Sequence, residues 1–148
     1  MSAKDWLVFE NEHFKAERAI GCVVPGYLVV SAKAPATSVA KLERAAAECL
    51  GPTLARITEA IEDVLSPEVV YCARFGEETR QLHFHLFPRS ARLEEEYRLA
   101  QRHSGPLDGP LVLCWARDRY ALANSTEVER QEVERVALAI RARLAKSD

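Results

Sequence analysis

No run of apolar residues in this 148-residue chain approaches the roughly 18 that a membrane-spanning helix requires, so no membrane role is expected. Nor is there an excess of charge of one sign. A formal net charge of −2 gives no general attraction to nucleic acid or to an anionic membrane, and any phosphate-binding capacity has to be local. The N-terminal stretch MSAKDWLVFENEHFK has charges scattered through it and lacks the apolar core of a signal peptide. C-x-x-C pairs are also missing. The four cysteines, Cys22, Cys49, Cys72 and Cys114, are widely separated, and each sits among apolar neighbours. That pattern predicts buried free thiols rather than bridges, and a reducing cytoplasm fits it. No repeat, low-complexity tract or linker divides the chain.

What is present is an ordinary globular balance, 48% apolar and 28% charged, long enough for one compact domain over residues 1–148. WLVF opens as a strand, and HFKAERAIGCVV continues as less regular extended chain. PGYLVVSAK joins a Pro-Gly turn to a β-rich run from Tyr27 to Val30. From about Leu42 to Leu65 the pattern is helical, with Leu50, Leu54, Ile57, Ile61 and Val64 recurring at spacings of three and four. Gly51-Pro52 predicts a kink there, or two abutting helices. PEVVYCARFG reads as a strand, EETR as a tight polar connection and QLHFHLF as the next strand, together an antiparallel hairpin. Pro88 cannot donate to a ladder and is expected to end it. Beyond Arg89, RLEEEYRLAQRH suggests a solvated helix, SGPLDGP a loop and LVLCWA a further strand. Thr126 and Glu129 are placed as a capping box for a final helix. Its apolar stripe, Val133, Val136, Ala137, Ile140 and Leu144, is expected to dock on the domain.

Within QLHFHLFPR, alternation puts Gln81, His83, His85 and Phe87 on one face of a strand. Leu82, Phe84 and Leu86 take the opposite, core-facing side. Same-face neighbours lie about 6.5 Å apart along a strand, close enough to share a substrate. Neutral imidazole offers a nitrogen lone pair near neutral pH. Its attack on phosphorus makes a phosphoramidate that water can later cleave, dividing one hard step into two. A second imidazole can contact a phosphate oxygen or assist the leaving group. Two other readings stand beside this one: a hydrogen-bonded structural pair, and two ligands of a metal site. A metal needs a third ligand, and neither His13 nor His103 has a spacing that points to this strand.

The ordered context of PGYLVVSAK, a long helix, a strand ending in glycine and QLHFHLFPR resembles the histidine triad (HIT) family of nucleotide hydrolases and transferases. That family's signature is His-φ-His-φ-His-φ-φ, often followed by Pro-Arg, with an upstream Pro-Gly-His. The match runs over residues 6–90, leaving 91–148 as a C-terminal extension. The resemblance implies an α+β, HIT-like fold: an antiparallel sheet of about five strands with a long helix packed on it, plus a C-terminal helix. It implies no catalytic metal and no organic cofactor, and a homodimer in which two sheets join. By position, His83 takes the nucleophile's place and His85 contacts phosphate oxygens and assists the leaving group. Implied substrates are dinucleoside polyphosphates and nucleoside phosphoramidates, handled through a nucleotidyl-histidine intermediate.

The motif also departs from the family pattern. Gln81 stands at the first triad place, where the family uses the main-chain carbonyl to orient the nucleophile's other ring nitrogen; any residue supplies that carbonyl. Tyr27 stands where Pro-Gly-His places a histidine, and a Tyr27–Gln81 hydrogen bond is one expectation. The loop from Gly76 to Gln81 is short, with Thr79 its candidate donor and Glu77 and Glu78 read as a solvated turn. Arg74 can hold phosphate bidentately or pair with one of those glutamates. Arg89 is expected to face solvent. Glu17 and Asn11 are candidates near the ribose, and Asn11 has the alternative of capping a turn. The rival to an enzyme is a non-catalytic nucleotide-binding or interaction module on the same fold. Gln81 and Tyr27 favour the module, whereas retention of His83 and His85 favours the enzyme.

Overall fold

The computed structural model describes residues 6–146; the two chain ends, including the start of the charged N-terminal stretch, lie outside the described residues. Five strands are described: β1 (Leu7–Glu10), β2 (Phe14–Arg18), β3 (Leu28–Ala32), β4 (Val69–Ala73) and β5 (His83–Arg89). They form one antiparallel sheet in the order β1-β2-β3-β5-β4. Four helices accompany it: α1 (Arg44–Leu65), α2 (Ala91–Gln101), α3 (Gly109–Arg119) and α4 (Glu127–Ala145). The fold is α+β, as expected. Among the described residues no helix is long and apolar enough to cross a membrane.

Strand alternation sends Phe14 and Ala16, Leu28 and Val30, and Leu82 and Leu86 to one face of the sheet. There they meet Ile57, Ala60 and Ile61 of α1, and Val136, Ile140 and Leu144 of α4. The last three belong to the apolar stripe read from sequence. The capping box is also in place: Thr126 Oγ1 accepts from Glu129 N at 3.2 Å, and Glu129 Oε2 accepts from Thr126 N at 2.8 Å.

Three local expectations change and a fourth is narrowed. At Gly51-Pro52 the abutting helices fall away, because Pro52 lies inside α1, which is one helix. Pro52 itself is exposed, while Thr53, Ile57, Ala60 and Ile61 are buried, so docking of that face offsets the roughly 3 kcal/mol an interior proline costs. Pro88 does not end its strand. The β3–β5 ladder stops at Leu86, and Pro88 pairs with Val70 of β4 where β5 is bonded on one side only. LVLCWA is helical, not a strand. Asp108 caps α3 by accepting from Leu111 N at 3.2 Å, Pro110 sits in the first turn, and Val112, Leu113 and Ala116 share the buried face. A short apolar run has no period by which to choose between the two states. All four cysteines are free thiols, but only Cys22 is buried; Cys72 and Cys114 are exposed.

α2 and α3 cover the other face of the sheet. α2, expected as a solvated helix, buries Leu93 and Tyr97, and α3 adds its apolar face. Together they enclose Ala19, Cys22, Val24, Tyr27 and Phe87 in a second core. Arg89, expected in solvent, joins the two layers: it donates to Tyr71 Oη at 2.9 Å and pairs with Glu94 of α2 at 3.4 Å.

Because Ile140 is fully buried between α4 and the sheet while Leu138 on the same helix is 60% exposed, truncating the two should differ sharply. Ile140→Ala is expected to cost about 2–5 kcal/mol and Leu138→Ala within about 0.5 kcal/mol in urea unfolding. Equal costs would mean that α4 is not docked through this stripe.

Candidate active site

β5 carries the two imidazoles on the face away from α1. Across the sheet, His83 is opposite Ser31, which is opposite Lys15; His85 is opposite Val29 and Ala73, and Val29 is opposite Glu17. One row further on, Phe87 faces Tyr71. α2 and α3 cover the Phe87 end of this face, so the rows differ in exposure: Phe87 is fully buried, His85 is 9% exposed, and His83 is half-buried. The two imidazole centroids are 5.0 Å apart with the rings near perpendicular.

Each ring is oriented through its Nδ1. His83 Nδ1 donates to the main-chain carbonyl of Gln81 at 2.7 Å. A carbonyl can only accept, so the proton is on Nδ1, and the neutral ring presents a bare Nε2 lone pair. His85 Nδ1 lies 2.7 Å from Tyr27 Oη. Burial pushes the Tyr27 phenol up to about 12, so it keeps its proton, and this is its one side-chain hydrogen-bond partner among the described residues. A buried hydroxyl left without an acceptor is costly, so Tyr27 donates to Nδ1 and the His85 proton sits on Nε2. The site thus offers one nucleophilic nitrogen and one N–H donor side by side. Gly26 takes φ +77°, a turn conformation that suits glycine, and delivers Tyr27 to the sheet.

The remaining site expectations fare differently. Gln81 and Tyr27 do not bond to each other. The Gln81 amide donates to the carbonyls of Ala32 at 2.8 Å and Ala34 at 3.0 Å, and its oxygen accepts from Ala36 N at 3.4 Å. Its side chain therefore holds the β3–α1 connection, and only its carbonyl serves the imidazole. Arg74 pairs with neither Glu77 nor Glu78; it donates to the Thr37 carbonyl at 2.7 Å and braces the same connection. Thr79 Oγ1 accepts from Gln81 N at 3.2 Å, which leaves its own proton free to donate. Asn11 caps a turn, accepting from His13 N at 3.0 Å and Phe14 N at 2.8 Å. Glu17 pairs with Lys15 at 3.0 Å on the same face as the histidines.

Sequence reasoning missed three neighbours. Phe75, 38% exposed, stands with its ring 5.4 Å from that of His85. Ser31 is placed beside His83 by register, and the alternation Tyr27, Val29, Ser31 was a usable signal. Arg117 of α3 is the third, and its charge acts on both His85 and Tyr27. Nothing local signals it, because it comes from the segment whose helix was read as a strand. Among the described residues no three His, Cys, Asp or Glu side chains gather as a metal site would require.

Comparison with known proteins bears on the family and the fold. The HIT domain family model matches residues 2–92, and the chain belongs to that family. No curated protein matches the chain. Among solved structures, a histidine triad protein from Bradyrhizobium japonicum is similar at 17% identity and TM-score 0.66, covering 97% of this chain and 96% of that one. A hypothetical histidine triad nucleotide-binding protein from Sulfolobus tokodaii strain7 is similar at 14% identity and TM-score 0.62, covering 95% and 84%. Plasmodium falciparum diadenosine triphosphate hydrolase, in complex with cyclomarin A, is similar at 13% identity and TM-score 0.55, covering 68% and 77%. At these identities the likeness is one of fold, and in the first two it extends over nearly the whole chain.

Burial, reinforced by the charges of His83 and Arg117, lowers the His85 pKa from 6.5 to about 4. Between those values the unfolded chain binds more protons than the folded one. Stability is therefore lost as pH falls from about 6.5 towards 4 and levels off below, an increment of ~3 kcal/mol at most. In urea unfolding at pH 7 and pH 4, wild type should lose about 2–3 kcal/mol more than His85→Asn. Equal losses would show an imidazole that titrates as it does in water.

Proposed function

We propose that this protein is a HIT-type nucleotide phosphohydrolase or nucleotidyl transferase acting through a nucleotidyl-His83 intermediate. The carrying observation is the pair of opposite ring tautomers: a bare Nε2 on His83, set by Gln81 O at 2.7 Å, beside an Nε2–H on His85, set by Tyr27 Oη at 2.7 Å. In the first step His83 Nε2 attacks the α-phosphorus of a nucleotide. The P–Nε2 bond forms, the bond from phosphorus to the leaving group breaks, and the positive charge appearing on the ring is met by the Gln81 carbonyl. His85 Nε2–H donates to phosphate oxygen or to the departing oxygen. In the second step water adds to phosphorus and the P–Nε2 bond breaks. His83 regains its lone pair, a proton passes to solvent and nucleoside monophosphate departs. A phosphate acceptor in place of water makes the same sequence a transfer.

Substrate sits, in this reading, over the open rows of the sheet beside Ser31 and Lys15, with Thr79 a donor at the rim. Gln81, Tyr27 and Arg74 act by positioning rather than by direct contact. The reaction as written uses no metal and no organic cofactor. A compact domain in the cytoplasm, paired as a homodimer along a sheet edge, completes the proposal; β4 is one such edge.

Dinucleoside polyphosphates and nucleoside phosphoramidates are the substrates to test. Turnover by wild type that falls at least about 10³-fold in His83→Ala, with a nucleotidyl adduct located on His83 by mass spectrometry, is the expected result. Tight binding without turnover would instead support a non-catalytic nucleotide-binding module.

Tyr27→Phe leaves the packing of the second core but removes the proton that sets the His85 tautomer. It is expected to lower kcat about 10-fold with little change in KM. A change confined to KM would place Tyr27 in substrate binding.

A further inference from the structure

β4 and β5 pair with Ala73 opposite His85, and the ladder between them ends there. Two residues further along, the chain sets Phe75 against that imidazole. The ring centroids are 5.4 Å apart and the planes tilted by 53°. Arg74, between the two, donates to the Thr37 carbonyl at 2.7 Å, so the chain entering Phe75 is tied down. Among the described residues three rings contact the imidazole of His85: Tyr27 at 5.9 Å, His83 at 5.0 Å and Phe75. Tyr27 is buried and His83 is the proposed nucleophile, whereas Phe75 is an apolar ring left 38% exposed. A lone exposed hydrophobic needs no explanation. Phe75 differs in its place, within ring contact of the group that faces the leaving group.

The distances limit what that ring can meet. A leaving oxygen that accepts from His85 Nε2–H lies about 3 Å from that nitrogen. A ring stacked on Phe75, offset or edge-on, has its centroid about 4.5–7 Å from that of the phenyl. With Phe75 and His85 only 5.4 Å apart, one small group satisfies both: an aromatic ring bonded to the leaving oxygen directly or through one carbon. A phosphate set against the phenyl would instead lose hydration and gain no hydrogen bond. The chemistry of His85 suits the same group. Its Nδ1 accepts from the Tyr27 phenol, so its Nε2–H is a neutral hydrogen-bond donor. His83 Nε2 bonds to phosphorus, and the P–O bond breaks with its electron pair on the oxygen. The aryloxide leaves as an anion, accepting from His85, and takes its proton from solvent. Its ring shares the charge, so the step needs no strong acid.

Resting on the hydrolase reading above, we infer that Phe75 is the wall of the leaving-group subsite and selects nucleotide esters whose leaving oxygen carries an aromatic ring.

The test has a binding arm and a kinetic arm, each read as a ratio, so a general disturbance of the site cancels. Adenosine serves as the probe nucleoside. Its 5′-benzylphosphonate, in which a methylene stands for the leaving oxygen, and its 5′-methylphosphonate are titrated calorimetrically into wild type, Phe75→Ala and Phe75→Trp. Wild type should hold the benzyl compound about 10-fold more tightly. That ratio should fall to within about twofold in Phe75→Ala and persist in Phe75→Trp. For turnover, the pair is the phenyl and hexafluoroisopropyl esters of adenosine monophosphate, whose leaving oxygens are of similar basicity. kcat/KM should favour the phenyl ester about 10-fold in wild type and lose that preference in Phe75→Ala. Equal handling of each pair by wild type, or equal losses on both esters in Phe75→Ala, would overturn the inference and leave turnover through His83 untouched. A Phe75-dependent preference in binding with neither ester turned over would keep the subsite and remove the hydrolase reading.

Discussion

A histidine can attack phosphorus only if one ring nitrogen is bare and aimed outward, and here the hydrogen bond from His83 Nδ1 to the Gln81 carbonyl meets both conditions. That carbonyl is free because Gln81 precedes the regular part of β5. The ladder next to it is carried by Leu82, which bonds to Ala32 and Ala36 through its main chain. The contact that orients the His83 ring is thus made by the backbone at position 81 and not by that residue's side chain. The side chain is then available for other work. The Gln81 amide and Arg74 together anchor residues 32–37, so the connection from β3 towards α1 is tied to the base of the site.

The second imidazole is set by burial. α2 and α3 cover one end of the histidine face, and Tyr27, Phe87 and their neighbours form a core there. Desolvation keeps His85 neutral, and the Tyr27 phenol decides which nitrogen carries the proton. Gln81 thus acts on one ring through its backbone, and Tyr27 on the other through its hydroxyl. The same two helices that bury His85 bring Arg117 to the rim, so the C-terminal segment shapes the pocket's dielectric and its charge together.

This construction has an electrostatic consequence. Burial first, then the second imidazole 5.0 Å away and the charge of Arg117, disfavour a second ring proton on His85. His85 is accordingly held as the neutral member of the site.

Local patterns carried most of the sheet side of this protein. Alternation in QLHFHLF assigned the imidazoles to one face and Leu82 and Leu86 to the core, and helical spacing located α1 and the stripe of α4, because both periodicities depend only on neighbouring residues. Pro88 and the short apolar run from Leu111 to Ala116 were misread for the complementary reason. Pro52 is tolerated by docking, Pro88 by the absence of a second ladder, and Leu111 to Ala116 are helical because Asp108 caps them and a core awaits them. The proton positions and the site's cation were beyond any local reading. Tyr27 and His85 are 58 residues apart in the chain, and Arg117 reaches the site only through the path of α2 and α3. Tautomer, burial and field are properties of what surrounds a group in space, and those surroundings came into being only when the chain folded.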